Sequence, residues 1–456
     1  MIKLAPFSHK TVGVFGLGKA GSASVTALLD GGATVYAWDD KPVAFDNTAR
    51  IIPYQDWPWK TLSALVIAPG VPLTHPAPHA VVLLAQQHNV PVLGDIELLY
   101  RAQPEATYLG ITGTNGKSTT TTLIGHIFHG AGKRAEVGGN LGTAALLLAP
   151  LSAGETYILE TSSYQLDLLQ TARFNIAILL NVTPDHLDRH GDMDGYIAAK
   201  KHIFDRQSKT DVAIIAIDDD YTKALYDAGL GDGKMIAVST QQELVDGVFV
   251  KDGILYDHLS IAPHALFPMP LQPIASLTGR HNWQNAAVAY AAARAAGIEP
   301  EVIYAALKSF AGLRHRLQLV DTIHGVRFIN DSKATNADAV SHALAPYRNI
   351  YWIAGGKAKS GGIESLTHLF SHVKRAYLIG EAEEIFAQTL DGKLEYQRCG
   401  TLQKALNQAA ADAFSEGLHD AVVLLSPACA SFDQFGSFEQ RGDVFCELVE
   451  GIADAS

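Results

Sequence analysis

Short apolar runs, each bounded by glycine, proline or acidic residues and followed by a stretch of helical apolar spacing, recur along most of the chain. One group of runs, Thr11–Phe15, Thr34–Trp38, Ala64–Ile67 and Val90–Val92, predicts a small first sheet, with a helix over Ser22–Leu29. A second group comprises Tyr108–Thr112, Arg134–Val137, Thr156–Leu159 and Ile176–Leu180, with helices over Lys117–Phe128, around Tyr196–Lys201, over His281–Ala296 and from Glu299-Pro300 onward. A third comprises Val326–Ile329, Ile350–Ala354, Arg375–Ile379 and Ala421–Leu425. Runs that are apolar on both faces and alternate with helices are what a parallel sheet covered on two sides requires. The expectation is therefore an α/β chain of three domains: a Rossmann-like domain over 1–95, a central P-loop mononucleotide-binding parallel-sheet domain over 96–312, and a C-terminal Rossmann-like α/β domain over 313–456, entered through the hinge Gly312–Arg316.

Two strand ends carry glycine turns. Gly110–Thr120 reads GITGTNGKSTT, so a strand, a glycine turn and a helix start follow one another. In that geometry backbone N–H groups curl around an anion, Lys117 reaches the terminal phosphates, and the Ser118 hydroxyl is placed for Mg²⁺. The usual P-loop spacing puts its first glycine at position 111, where Ile111 stands, with glycines at 110 and 113. Gly16–Gly21 reads GLGKAG, the GxGxxG turn, and the next strand ends in Asp39 and Asp40. Alone, that turn places a phosphate or sugar, or makes a tight βαβ corner with no ligand.

Polar residues cluster beyond other strand ends, where open α/β sheets bind ligands. Glu160 precedes Thr161-Ser-Ser163 and is a candidate to hold Mg²⁺ opposite Ser118, or to cap the next helix. His186 sits in Asp185-His-Leu-Asp-Arg-His190, a metal-ligand or capping cluster. Lys200, on a helix among small residues, is either a surface lysine or a desolvated amine able to take up CO₂ as a carbamate with oxygen ligands. The amides of Asn282 and Asn285 either read an adenine edge or cap their helix. In the last third, Asn330-Asp331-Ser-Lys333-Ala-Thr335-Asn336, the Gly355–Gly362 turn with Lys359, and SPACASFDQF from Ser426 to Phe435 all follow strands.

A formal net charge of -12 argues against a general nucleic-acid surface, so a polyphosphate needs a local site. Cys399, Cys429 and Cys446 have neither CxxC nor metal-ligand spacing, which fits a reducing cytosol and a cytoplasmic protein. The first residues run straight into a strand and no apolar run reaches membrane length, so neither a signal peptide nor membrane insertion is expected. An NAD-dependent oxidoreductase would use GxGxxG and Asp39 but leave the remaining motifs idle. A non-catalytic nucleotide-binding regulator would have no need of Lys117, Glu160, His186 and Lys200.

The P-loop, the NDSKATN turn and SPACASFDQF, in that order, resemble the Mur ligase family, and the resemblance spans essentially the whole chain. SPACASFDQF together with GLGKAG resembles the D-glutamate-adding branch. What this implies is an ATP-dependent carboxylate–amine ligase that adds D-glutamate to UDP-N-acetylmuramoyl-L-alanine through an acyl phosphate in peptidoglycan precursor synthesis. GTNGKST is shared with sister Mur ligases and folylpolyglutamate synthases, which leaves another acceptor as the alternative. The resemblance implies that Gly113, Thr114, Asn115, Gly116, Lys117, Ser118 and Thr119 hold ATP phosphates. Asn282, Asn285, Arg316 and Asp331 would hold its adenosine end, and Lys333 would approach its phosphates. Ser118 and Glu160 would bind one Mg²⁺, with His186 and carbamylated Lys200 binding a second. Thr335, Lys359, Ser431, Phe432 and Phe438 would receive D-glutamate. Gly18, Lys19, Ala20, Gly21, Asp39, Asp40, Lys41, Ala68, Pro69, Gly70 and Asn140 would bind the UDP-linked substrate. A monomer without nucleic-acid partners is expected. Asp40-Lys41 stands where relatives often have Thr-Arg, and the stretch from His186 to Lys200 is one residue shorter than in some relatives; Tyr-x-Ala-Ala-Lys keeps Lys200, rather than Lys201, in register.

Overall fold

The computed structural model of the protein describes residues 2–41, 48–140, 142–259, 268–357 and 362–455. Candidate Lys359 lies outside the described residues. The chain forms two compact units, Met1–Phe310 and Ala311–Ser456.

The first unit carries two sheets. The smaller is parallel, with strand order Arg50–Ile51, Thr34–Trp38, Thr11–Phe15, Leu62–Ile67, Val92–Leu93. Chain order reverses between Thr11–Phe15 and Leu62–Ile67, and the turns after both strands, Gly16–Gly21 and Ala68–Gly70, therefore share the crevice where such sheets bind ligands. The larger sheet runs Met269–Pro270, Ile254–Asp257, Val248–Lys251, Lys234–Ser239, Val212–Ala216, Ile176–Leu179, Thr107–Thr112, Thr156–Glu160, Ala135–Gly139. Its order reverses at Thr107–Thr112, the strand that feeds the P-loop.

At the far edge, Val248–Lys251 and Ile254–Asp257 form an antiparallel hairpin. Asp252 and Gly253 both have positive φ, 50° and 70°, as a two-residue turn matched to strand twist demands. The sequence pattern does not predict the strands from Val212 to Pro270, because runs of two to six residues without adjacent polar motifs fall below what periodicity alone separates from loops.

The helix Arg280–Ala295 is buried over Asn285–Arg294 and shares one hydrophobic core with the P-loop helix Lys117–Gly130. Its alanines let the two backbones approach closely. A second junction is electrostatic: Glu97, on the helix Asp95–Ala102, accepts from the backbone N–H groups of Gln170, Thr171 and Ala172 and from the Thr171 hydroxyl. Burial acts to raise its pKa, but these donors outweigh burial and hold it below the usual value.

The second unit has one six-stranded sheet, ordered Gln318–Ile323, Val326–Asn330, Val422–Leu425, Ile350–Gly355, Val373–Ile379, Tyr396–Gly400, parallel except for its first pair. Among the described residues no helix is long and apolar enough to cross a membrane.

Candidate functional site

The P-loop is built by two glycines doing different work from the one the motif spacing emphasised. Gly110 lies inside the strand, where a Cβ would come within 2.6 Å of the Phe174 ring, so it is a packing glycine. Ile111 is a fully buried strand residue, which is why its departure from the usual spacing costs nothing. Gly113 and Gly116 make the turn, with φ of 152° and 84°. A Cβ on Gly113 would lie 2.9 Å from Leu180 Cβ, and one on Gly116 would collide with the Asn285 amide oxygen.

Neighbouring strand ends brace this turn. The Asn115 N–H donates to Asn181 Oδ1 at 2.8 Å, and Asn181 Nδ2 returns a bond to the Asn115 carbonyl. Thr114 Oγ1 donates to the Thr183 carbonyl, accepts from the Thr183 N–H, and lies 3.2 Å from Tyr196 Oη. Thr120 Oγ1 donates to Asn285 Oδ1, whose Nδ2 donates to Asn282 Oδ1. Asn285, read as an adenine contact or a cap, is thus 3 % exposed and braces the loop.

Two cations converge on a single carbonyl. Lys117 Nζ donates to the Gly113 and Thr114 carbonyls at 2.8 Å each, and Lys200 Nζ donates to the Gly113 carbonyl at 2.9 Å. Lys200 is 2 % exposed and its ammonium lies 4.5 Å from the Tyr196 ring centroid, whereas Lys201 is exposed. Burial, then the nearby Lys117 charge, pulls the Lys200 pKa down to about 7, with Asp185 opposing. The surface-lysine alternative is therefore set aside.

Glu160 is the last residue of its strand rather than the first beyond it, and it is 3 % exposed. Oε1 accepts from Asn140 Nδ2 at 2.8 Å, while Oε2 is buried with no hydrogen-bond partner among the described residues. It is not a helix cap: the helix Ser163–Leu166 is capped by Ser162 in a reciprocal box with Gln165. Gln165 is itself held by the fully buried Asp95, whose oxygens accept from Gln165 Nε2 at 3.1 and 3.4 Å. Among the described residues no three His, Cys, Asp or Glu side chains converge as a ready-made metal cage. His186 is exposed, with φ 52°, its ring 5.1 Å from that of Tyr164 and its Nε2 3.4 Å from Asp185 Oδ2.

At the smaller sheet, the first glycine turn is closed by its own chain. A Cβ on Gly21 would collide with the Gly16 carbonyl, whereas one on Gly18 meets nothing within 4 Å. Asp39 accepts from the Leu17 N–H at 2.6 Å and from the Lys41 N–H at 2.8 Å, Asp40 pairs with His79 at 3.1 Å, and Lys19 donates to the Gly142 carbonyl. The Gly70 carbonyl accepts from Arg189 Nη1, tying the Ala68–Gly70 turn to the His186 loop.

In the second unit, Asp331 is buried and accepts from Ser426 Oγ at 2.7 Å and from the Leu317 N–H; burial pushes its pKa up to about 7 against these bonds and against Arg316. Lys333 Nζ lies 5.9 Å from the Phe438 ring centroid. Thr335 is half-buried, Phe432 exposed, and Ser431 buried, its hydroxyl without a hydrogen-bond partner among the described residues. Arg441, which sequence reasoning missed, ties the two candidate segments together. Fully buried, it donates to Ser332 Oγ and O and to the Cys429 carbonyl. Its place inside the helix Phe438–Ala455 reads as a solvated arginine, and only the packing reveals otherwise. Asp95 and Gln165 were missed for the same reason, and His190, named only as part of the Asp185–His190 cluster, is buried rather than solvated.

A P-loop served by two lysines and flanked by a buried carboxylate, in a chain with a second α/β unit, is a phosphate- and nucleotide-binding architecture. Residues 111–293 match the Mur ligase middle domain and residues 315–429 the Mur ligase, glutamate ligase domain. The chain belongs to the Mur ligase family. It is 50% identical to the UDP-N-acetylmuramoylalanine--D-glutamate ligase of Rhodospirillum rubrum, covering 99% of this chain and 97% of that one. The proteins of the same name from Paramagnetospirillum magneticum and Caulobacter vibrioides are 49% and 48% identical, covering 99% of this chain and 99% and 98% of theirs. In fold it is similar to the UDP-N-acetylmuramate-alanine ligase of Thermotoga maritima, with a TM-score of 0.60 and 16% identity over 97% of this chain and 100% of that one. The MurF ligase of Thermotoga maritima in complex with ADP gives a TM-score of 0.59 at 16% identity, covering 99% and 98%.

Proposed function

We propose that this chain is an ATP-dependent ligase that forms an amide bond between UDP-N-acetylmuramoyl-L-alanine and D-glutamate, a step of peptidoglycan precursor synthesis in the cytoplasm, acting as a monomer. Near-full-length similarity to relatives named for this reaction favours it over sister acceptors and over a folylpolyglutamate-type ligase. The observation that carries the chemistry is the convergence of Lys117 and Lys200 on the Gly113 carbonyl, at a turn whose backbone is shaped for phosphate.

A carboxylate does not react with an amine in water, because its oxygen is a poor leaving group. The alanyl carboxylate oxygen attacks the γ-phosphorus of ATP, ADP leaves, and an acyl phosphate forms. The D-glutamate nitrogen then adds to the carbonyl carbon, a proton leaves the nitrogen, and phosphate departs from the tetrahedral intermediate. The loop N–H groups and Lys117 stabilise charge that builds on the phosphoryl oxygens. With nucleotide bound, Lys117 exchanges its two loop carbonyls for phosphate oxygens.

Glu160 fits a magnesium ion, because Oε2 is a buried carboxyl oxygen with no partner among the described residues and Mg²⁺ asks for only one or two carboxylates beside phosphate and water. Ser118 and Glu160 would hold that ion, which when bound neutralises phosphate charge. A second ion would be held by His186 and Lys200 once CO₂ has added to the Lys200 amine with loss of a proton; burial among Tyr196 and Ala199 and a pKa near neutrality favour that addition. Asn282, Asn285, Arg316, Asp331 and Lys333 would serve the nucleotide, and Thr335, Lys359, Ser431, Phe432 and Phe438 would serve D-glutamate. The two turns of the smaller sheet, with Asp39–Lys41 and Asn140, would serve the UDP-linked substrate.

The test is phosphate release from ATP with each substrate omitted in turn. Release that needs both UDP-N-acetylmuramoyl-L-alanine and D-glutamate is expected; equal release with another amino acid replaces the acceptor. Lys200→Ala is expected to lose activity and to regain part of it with added acetate, and full activity without acetate would refute the carbamate.

A further inference from the structure

Two segments that bracket the P-loop meet at a buried histidine with no assigned role. His190 ends the short helix Leu187–His190 and is 8 % exposed. Its Nε2 lies 2.9 Å from Ser163 Oγ, three residues beyond Glu160. Its ring stacks on Tyr164 at 5.4 Å and 19°, and lies 5.4 Å from Tyr196. Its backbone N–H donates to the His186 carbonyl. Tyr196 in turn reaches Thr114 Oγ1 in the P-loop.

The row Ser163, His190, Asp167 has the residue types of a nucleophilic triad. It does not work as one: Ser163 is 3 % exposed, and His190 Nδ1 is 3.7 Å from Asp167 Oδ2, beyond hydrogen-bond reach. An imidazole packed between two tyrosines and bonded to a serine is instead a rigid spacer. It fixes the distance between the strand end that carries Glu160 and the loop that carries His186.

We propose that His190 is a positioning residue for the ligation reaction, joining the segment after Glu160 to the His186 loop and, through Tyr196, to Thr114 of the P-loop. The inference rests on the ligase reading above. Misplacement of reacting groups by about 1 Å costs rate by up to about 10²-fold without any lost contact to substrate.

The experiment compares wild type with His190→Phe, which keeps the stack and loses the bond to Ser163, and Ser163→Ala, which loses the same bond from the other side. Expected are a fall in kcat of about 10-fold or more in both variants, a KM for D-glutamate within about 2-fold of wild type, and a double variant no slower than the worse single one. In ¹⁵N-histidine NMR spectra of the enzyme without substrates, Ser163→Ala is expected to shift the His186 ring signals, although the structure shows no contact from Ser163 to that ring. Wild-type turnover with unchanged kcat and an unmoved His186 signal in the variants overturns this inference alone. Additive losses, or loss of folded protein in both single variants, assign the residues to stability and overturn it too. Wild-type enzyme that releases no phosphate overturns the ligase reading, and this inference with it.

Discussion

The turns at Gly16–Gly21 and Gly113–Gly116 share a plan of parallel strand, glycine turn and helix, and both stand at the point where their sheet's strand order reverses. They differ in what reaches them. The first is closed by carboxylates: Asp39 occupies the Leu17 and Lys41 N–H groups, and Asp40 is engaged by His79. The second is met by two lysine amines, one of them almost fully buried, with a carboxylate oxygen on the adjacent strand that has no hydrogen-bond partner among the described residues. A glycine turn supplies anion geometry in both places. Phosphoryl chemistry needs in addition a cation held against the loop before substrate arrives; Lys117 is so held at the second turn, whereas Lys19 at the first is turned to the Gly142 carbonyl.

The contrast predicts where substitutions hurt. Lys117→Ala is expected to lower phosphate release by about 10³-fold or more, since it removes the main cation that faces the transferring group; steady-state kinetics check this. The next effect is on stability. Lys200 has a folded-state pKa of about 7 against an ordinary value of 10.5. Between those values the unfolded chain holds a proton that the folded one lacks, so in CO₂-free buffer stability rises with pH from about 7 to 10.5, by on the order of 5 kcal/mol. Lys200→Met keeps the volume and is expected to flatten that slope in denaturant melts at successive pH values.

Glycine variants divide the two turns more finely. Gly116→Ala places a Cβ at positive φ and against Asn285, and is expected to cut kcat by about 10²-fold through displacement of the loop. Gly21→Ala is expected to cost about 1–3 kcal/mol by driving the helix off the Gly16 carbonyl, as read in thermal melts. Gly18→Ala, at φ −66° with open space before it, is expected to leave stability unchanged and raise the KM for the UDP-linked substrate several-fold, the smallest effect of the set and roughly what one lost backbone approach costs. Unchanged KM in Gly18→Ala would make the first turn a structural corner and erase half of the comparison.

Much of this is legible in the sequence. Thr11–Phe15 and Thr34–Trp38 form strands with the predicted ends, because glycines and acidic residues bound their apolar runs sharply. GKST at a helix start located the P-loop despite Ile111, since the core sequence, rather than the first glycine, carries the geometry. Register alone favours Lys200 over Lys201, and in the structure Lys200 is buried while Lys201 is exposed. What stayed hidden was tertiary. Asp95, Gln165, His190 and Arg441 lie on helices where polar side chains ordinarily face water, and no spacing rule distinguishes a buried carboxylate that holds a glutamine from a solvated one. An acidic side chain reads as a strand terminator, which puts Glu160 one residue beyond its strand, while here Oε1 is bonded to Asn140 and Oε2 is buried without a partner among the described residues.

The central claim is that the P-loop activates a carboxylate by moving a phosphoryl group onto it. The direct measurement uses UDP-N-acetylmuramoyl-L-alanine labelled with ¹⁸O in its alanyl carboxylate, turned over with ATP and D-glutamate, with mass analysis of the released phosphate. Phosphate carrying one ¹⁸O atom per turnover is the predicted result, because the oxygen that attacks phosphorus leaves with it. Unlabelled phosphate alongside formed amide would contradict the account.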